Sequence, residues 1–346
     1  MLLRRRLLVQ LAELAGRRDA TRCEPHGILE RSSKGAETMK NTDISWTIDT
    51  HNITYGCSKV SAGCRNCYAE RTMGRLKGNA ESRKEKAQKL GRLEHALDVL
   101  DDRNRWNGQV NVIDGALDEI LRWRKPRLVF VNSLSDLFRE SLSEEFITRA
   151  YRCFGEASRH VFQILTKRSE RLIELDSKID WPKNVWMGVS VENEHVIDRI
   201  DHLQQTNAIV KWLSVEPMLG PLGDPDLTDI DWIVAGGESG RSDMIRPLDA
   251  DWVRSLRDAS VAKGIPFFFK QWGHDRNNPS QEDPTSKRRP GGWAKGGCQI
   301  DGFVWEQMPQ ALSKELTGAF RKQLKSQADE PETCQAGAAT QPAETT

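Results

Sequence analysis

The chain has 346 residues, a formal net charge of +1 and a pI near 7.6, a balance that does not suggest a nucleic-acid-coating protein or an acidic tail. Apolar residues make up 38% and charged residues 29%, and no apolar run approaches the roughly 18 residues of a membrane span. A soluble globular protein of one large α/β barrel or two smaller domains is therefore expected.

Seven cysteines, Cys23, Cys57, Cys64, Cys67, Cys153, Cys298 and Cys334, are odd in number and unevenly spaced. They fit reduced thiols in a cytoplasmic protein better than a disulfide framework. Eleven Trp are many for this length, and several sit beside expected strand ends, where rings line a pocket or cap a core.

Residues 1–38 start basic and lose any apolar period. Glu13, Asp19, Glu24 and Glu30 argue against a transit peptide, and residues 1–38 are expected to be a disordered or non-native extension, with the functional translation start at Met39. From there to about 325 a single barrel-type domain is expected. Apolar runs over 127–132, 160–166, 184–190, 209–215, 231–235 and 265–269 suit a parallel sheet buried on both faces, with a further strand ending near Tyr55. Between them, 143–158, 193–205 and 251–262 carry helical stripes, and Ser141 with Glu144 forms a candidate capping box. The spacing of about 20 to 35 residues per strand is that of a βα unit. It predicts a complete or partial parallel (βα) barrel, with an open doubly wound sheet as the alternative. Residues 273–297 read as a long surface loop, and 326–346 as a disordered tail.

Polar residues gather where each strand ends. They are Asn132, Ser133, Ser135 and Asp136; Thr166, Lys167 and Arg168; Ser190, Glu192 and Asn193; Ser214 and Glu216; Gly236, Gly237, Glu238 and Ser239; Lys270 and Gln271. Any one of these is ordinarily a helix cap or loop residue. Six consecutive ends of this kind favour a barrel, whose active sites collect at that face. Lys167, Arg168 and Lys270 would point cations into the mouth and suit a phosphate or carboxylate, unless Lys167 pairs with Asp136 or Glu192.

The segment from Gly56 to Tyr68 holds Cys57, Cys64 and Cys67 in a C-x6-C-x2-C pattern leading into a helix near Tyr68. Three thiolates in one loop can meet on a single soft metal centre. Lys59, Arg65 and Arg71 are expected to lower the thiol pKa values. A structural zinc site takes four ligands, whereas a 4Fe–4S cluster on three cysteines leaves one iron open. Zinc stays an alternative with His51, Cys153 or Cys298 as fourth ligand, and unliganded thiols are the plain one.

The segments GCSKVSAGCRNCYAER, FVNSLSDLF, ILTKRSER, VWMGVSVEN, KWLSVEPMLGPL, DWIVAGGESG and PFFFKQWG occur in this order in the phage gene-product 37/68 family of phages, prophages and bacteria. The chain resembles that family over about residues 44–275, and the family looks related to radical-SAM enzymes. Two departures stand out. His51-Asn52-Ile53 replaces a Trp-Asn-Pro run, and the cysteine spacing is not the usual C-x3-C-x2-C.

The resemblance implies that the open iron binds S-adenosyl-L-methionine, whose one-electron reduction gives methionine and a 5′-deoxyadenosyl radical. It implies that Asn132, Ser135 and Asp136 lie near the methionine amino group and that Ser190, Glu192 and Asn193 lie near the ribose. Glu216, Gly236, Gly237 and Glu238 would hold substrate or adenine. The Thr166-Lys167 pair is similar to one in the spore photoproduct lyase branch, which acts on DNA. With Arg246, Lys287, Arg288, Arg289 and surface Trp residues, it raises a nucleotide or nucleic acid as partner, together with an electron donor. The competing expectation is a zinc- or cluster-stabilised binding protein of phage or prophage origin without catalysis.

Overall fold

The computed structural model describes residues 42, 44–240, 243–280, 282–287, 296–312, 314, 316–319 and 321. The expectations for 1–38, 326–346, Cys23, Cys334, Arg288 and Arg289 lie outside these residues.

In chain order, β1 (Asp49–His51) is followed by a short β2 (Thr54–Tyr55), the cysteine loop and helix α1 (Tyr68–Glu85). β3 (Asn111–Val112) pairs back on β2, and α2 (Ala116–Arg122) leads to β4 (Leu128–Val131). Then come α3 (Glu144–Glu156), β5 (Val161–Thr166), α4 (Ser169–Leu175), β6 (Val185–Ser190), α5 (Asp198–Gln204) and β7 (Val210–Val215). β8 (Trp232–Ala235), α6 (Ala250–Ala262), β9 (Phe267–Phe269) and the hairpin of β10 (Gln299–Ile300) with β11 (Phe303–Val304) complete the described elements.

Seven strands form one parallel sheet in the order β1-β4-β5-β6-β7-β8-β9. The order follows the chain without reversal. Crossovers of one hand then put every helix on the same face, which leaves the other face to curl inward. A doubly wound sheet needs a point where the order reverses, and there is none. The sheet is the partial rather than the closed barrel, with β1 and β9 at its edges. The edge of β9 is covered by 305–307, where the Phe269 amide donates to the Trp305 carbonyl and the Gln307 amide to the Phe267 carbonyl.

Alternation along the strands sorts the core into two layers. Val129, Phe162, Met187, Leu213, Ile233 and Phe267 face the helices. Phe130, Trp186, Trp212, Trp232, Val234 and Phe268 face the concave side, with Trp46 upstream of β1 and Leu312 and Leu316 from the C-terminal segment. The Trp46 and Trp212 rings lie 5.2 Å apart, and Trp212 and Trp232 5.4 Å. Each indole N–H is satisfied: Trp212 donates to the Trp186 carbonyl, Trp232 to the Gln307 carbonyl and Trp46 to Glu216. These tryptophans are therefore a buried floor, not surface rings for a phosphate backbone.

Several local expectations change. The first sheet strand ends at His51, not Tyr55, because Thr54–Tyr55 pair only with β3. Helix α3 is capped by Ser143, whose Oγ accepts the Phe146 amide, rather than by Ser141. Helix 193–205 begins as a separate 3-10 turn at Glu194–Val196. The loop after Gly273 is not wholly solvated: Asp283 and Thr285 are buried and hydrogen-bonded to each other, and Asp283 also accepts from Asn278.

Gly188 on β6 sits opposite Trp212, and a Cβ there would lie 2.4 Å from the indole. Gly188→Ala is expected to cost about 2–3 kcal/mol, because the indole is enclosed and cannot yield. Gly78 in the exposed part of α1 meets nothing within 4 Å. Gly78→Ala is expected to stabilise by about 0.5–1 kcal/mol through helix propensity. Denaturant midpoints of the two variants check this opposition of sign.

Candidate functional site

The cysteine loop lies over the C-terminal ends of the strands, and its position is set by β4. Asn132 follows that strand with φ +61°, a left-handed conformation that Asn tolerates better than most residues. Its Oδ1 accepts the Ile53 amide at 2.9 Å and the Thr54 amide at 3.2 Å, while its Nδ2 donates to Thr54 Oγ1. Ser135 Oγ meets Thr54 Oγ1 at 2.6 Å and donates to the Thr54 carbonyl. The polar atoms of Asn132 and Ser135 are thus committed to the backbone that delivers Cys57. Gly56 has φ +103°, and a Cβ there would lie 2.1 Å from the Gln109 carbonyl oxygen.

Cys57 and Cys64 sit in the loop, and Cys67 is the residue preceding α1. Burial raises the Cys67 thiol above its ordinary pKa, against a smaller opposing pull from the Glu70 and Ala69 amides at the start of α1. Burial, and after it the Asp136 carboxylate, pushes the Cys57 thiol up to about 12, against the opposing pull of Arg168. Cys67 and Cys64 raise the Cys57 pKa further, by less than burial and Asp136 do. Among the described residues, no three His, Cys, Asp or Glu side chains converge closely enough to hold a metal ion. The donor chemistry nevertheless fits a soft metal group: three thiols come from a single turn, beside a helix N-terminus and a guanidinium.

The cations expected to activate the thiols are used differently. Lys59 pairs with Glu70 at 3.1 Å, and Arg71 donates to the Ser239 carbonyl. The guanidinium near sulfur is Arg168, whose Nη1 lies 3.9 Å from Cys57 Sγ. Arg168 does not project into the mouth, since its side chain is only 3% exposed. It donates to Asp136 Oδ2 at 3.0 Å, to Glu140 and to Ser58 Oγ at 2.9 Å. Asp136 also accepts Thr166 Oγ1 at 2.7 Å and the Lys167 and Phe138 amides.

Glu192, after β6, accepts Lys167 Nζ at 2.5 Å, Ser61 Oγ at 2.7 Å and Arg199 Nη1 at 3.1 Å. Burial alone would raise its pKa, but Lys167, Arg199 and Ser61 together hold it below the usual carboxylate range. It also presses on the cysteine loop, because a Cβ on Gly63 would meet Glu192 Oε1 at 2.5 Å. Glu238, after β8, takes Asn66 Nδ2 at 3.0 Å and the Arg246 guanidinium, and Arg246 Nη1 donates to the Ala62 carbonyl. Arg246 is thus a brace between strand end and cysteine loop, not a spare phosphate contact. Glu216 accepts Trp46 Nε1 at 3.0 Å and pairs with Lys270 at 3.1 Å. Sequence patterns gave no sign of Ser61, Asn66 or Arg199 in these networks, because their partners are more than a hundred residues away or on a separate turn.

Other expected residues serve the scaffold. Asn193 Oδ1 accepts the His195 amide as a cap, and the Ser190 carbonyl accepts Arg199. Gly236 and Gly237 allow β8 to meet the chain after β9, since a Cβ on Gly237 would lie 2.3 Å from the Trp272 carbonyl oxygen. The proposed fourth ligands for zinc are engaged elsewhere. His51 Nε2 meets the Ala116 carbonyl, Cys153 Sγ donates to the Leu117 carbonyl, and Cys298 is buried in the hydrophobic core.

Cys67 lines a cavity of about 100 Å³ with Arg65, Asn66, Glu70, Arg71, Glu238 and Met244 among its walls. A larger cavity of about 780 Å³ lies at the opposite end of the sheet, where β5 and β6 begin, and no thiol reaches it. Chemistry rather than size places the candidate site at the cysteine loop. Among the described residues, no helix is long and apolar enough to cross a membrane.

Fold and site together define an open parallel α/β protein with a three-cysteine loop fixed across its strand ends. The chain belongs to the family described as "Protein of unknown function (DUF5131)", whose model matches residues 41–309. No curated protein matches it. Among solved structures it is similar to a spore photoproduct lyase double mutant with bound AdoMet and dinucleoside spore photoproduct, at 13% identity and a TM-score of 0.35, covering 85% of this chain and 78% of that one. A single mutant of spore photoproduct lyase with dinucleoside spore photoproduct matches at 12% identity and a TM-score of 0.34, with the same coverage.

Arg168→Gln is expected to destabilise the fold by about 3–5 kcal/mol, because Asp136 would keep a buried charge without its partner. Adding Asp136→Asn is expected to recover part of that loss. Denaturant unfolding of the two single variants and the double variant measures the coupling.

Proposed function

We propose that the chain holds a 4Fe–4S cluster on Cys57, Cys64 and Cys67 and uses it with S-adenosyl-L-methionine in radical chemistry on a nucleotide or nucleic-acid substrate. The observation that carries this reading is three cysteines on one loop across the polar ends of a parallel sheet, with Cys57 beside the Arg168 guanidinium and Cys67 at the start of a helix. The resemblance to the phage gene-product 37/68 family belongs to the same reading.

Three thiolates leave one position of such a cluster open. When bound, the cluster supplies an electron from a reducing partner to S-adenosyl-L-methionine, and so a radical that removes a substrate hydrogen atom. The protein's own part is positioning. Asn132 and Ser135 hold the entry to the loop, and Arg168 offsets negative charge at the Cys57 sulfur. Lys167 and Lys270, about one-fifth exposed and paired with Glu192 and Glu216, would orient an anionic group at the mouth. The tryptophan floor keeps water from below.

A second reading has one observation in its favour. The cavity beside Cys67 is only about 100 Å³, below the roughly 300–1,000 Å³ of small-molecule sites. A metal-stabilised binding protein would need no larger space there.

Anaerobic reconstitution separates the two. The enzyme reading expects iron and acid-labile sulfide, broad visible absorbance and reductive cleavage of S-adenosyl-L-methionine. Cys67→Ala should abolish cleavage and leave the unfolding midpoint of the metal-free chain unchanged. A colourless protein with stoichiometric zinc that unfolds on Cys67→Ala would overturn it.

A further inference from the structure

The near-zero net charge hides a strong local asymmetry. Between Lys59 and Arg92 the chain carries ten Lys or Arg against three Glu, a surplus of seven in a protein of overall charge +1. Most of these residues lie on α1 and the turn after it. Arg65, Arg71, Arg75, Arg83, Lys84, Lys86 and Lys89 are exposed, and among the described residues no carboxylate pairs with any of them.

Their placement follows from helical geometry. Tyr68, Arg71, Arg75, Ser82 and the C-cap residue Lys86 recur at spacings of three, four and seven, so they form one stripe. Gly78 and Asn79 fall beside it and keep the stripe low and polar. The opposite face carries Ala69, Met73 and Ala80, all buried against the core. The stripe starts at the cysteine loop, where Arg65 and Arg71 share the cavity wall with Cys67 and the Tyr68 ring is 41% exposed.

We propose that this stripe is a docking surface for a nucleic-acid backbone, which it leads toward the cysteine loop. Unpaired cations in a row match the regular negative charge of a phosphate chain, and phosphate neutralisation with counterion release supplies the affinity. An 18-residue helix is about 27 Å long, room for about eight nucleotide steps of 3.4 Å. Tyr68 at the end of the stripe offers a ring face on which a base can stack. An anionic membrane is the other polyanion such a helix could meet. That binding uses a free apolar face, and here the apolar face is already buried in the core.

The inference rests on the charges of α1 and not on the cluster. It is tested on the full-length protein by fluorescence anisotropy with a labelled single-stranded oligonucleotide and the matching duplex, between about 50 and 200 mM salt. The variant Arg71→Gln/Arg75→Gln/Lys86→Gln, which removes the cations of the stripe, should bind at least about tenfold more weakly and lower the log–log salt slope for duplex by about 0.9 for each phosphate no longer neutralised. Glu81→Gln/Glu85→Gln, which raises the charge of the same helix, should bind more tightly. Thermal unfolding confirms that each variant is folded, and iron content on the same samples keeps this result apart from that of the cluster test. Binding unchanged in both variants would overturn the proposal, as would wild-type protein that binds phosphatidylserine vesicles but neither oligonucleotide.

Discussion

A guanidinium taken out of water must have its hydrogen bonds met, or it costs several kcal/mol. Arg168 at the end of β5 is in this position, and it meets the demand through three residues on two separate pieces of chain. Asp136 and Glu140 come from the turn after β4, and Ser58 comes from the cysteine loop. The loop that carries the thiols therefore cannot leave the strand ends without taking from Arg168 its hydrogen bonds to Ser58. Cys57 is brought beside Arg168 by that constraint.

The same device repeats around the sheet. Glu192 joins Lys167 from the neighbouring strand end to Arg199 on α5 and to Ser61 in the cysteine loop. Glu238 joins Arg246 to Asn66, and Glu216 joins Lys270 to the tryptophan floor through Trp46. Buried ion pairs add little stability over an apolar core, yet breaking one is costly. Their effect here is to specify position: Glu192 holds the cysteine loop at Ser61, Glu238 holds it at Asn66, and Asp136 acts through Arg168, which reaches Ser58. Lys167, Lys270 and Arg246 each keep about a fifth of their side chains toward solvent, whereas Arg168 and Arg199 are buried.

The sheet was readable because strands buried on both faces are continuous apolar runs. Six runs became β4 to β9 with ends shifted by a residue or two, and a seventh strand preceded them. The two-residue ladders β2–β3 and β10–β11 are too short to carry a period, and α2 has only two turns, so none of them stood out. The clustering of polar strand ends was readable for the same reason as the strands. Their pairing was not, because it joins residues such as Asn66 and Glu238 that lie 172 apart in sequence. Arg168 looked like a free cation for the mouth, and only the third dimension supplies the carboxylates that bury it. The tryptophans followed alternation along β6, β7 and β8 into the concave core, which their proximity to strand ends did not foretell.

The central claim is that this fixed loop presents three thiolates to an iron–sulfur cluster and leaves one iron open. Mössbauer spectroscopy of protein reconstituted with isotopically enriched iron tests it most directly. The account predicts that one iron site differs from the others and that its spectrum changes when S-adenosyl-L-methionine is added. Equivalent irons with no response to S-adenosyl-L-methionine, or a chain that takes up no iron, would contradict it.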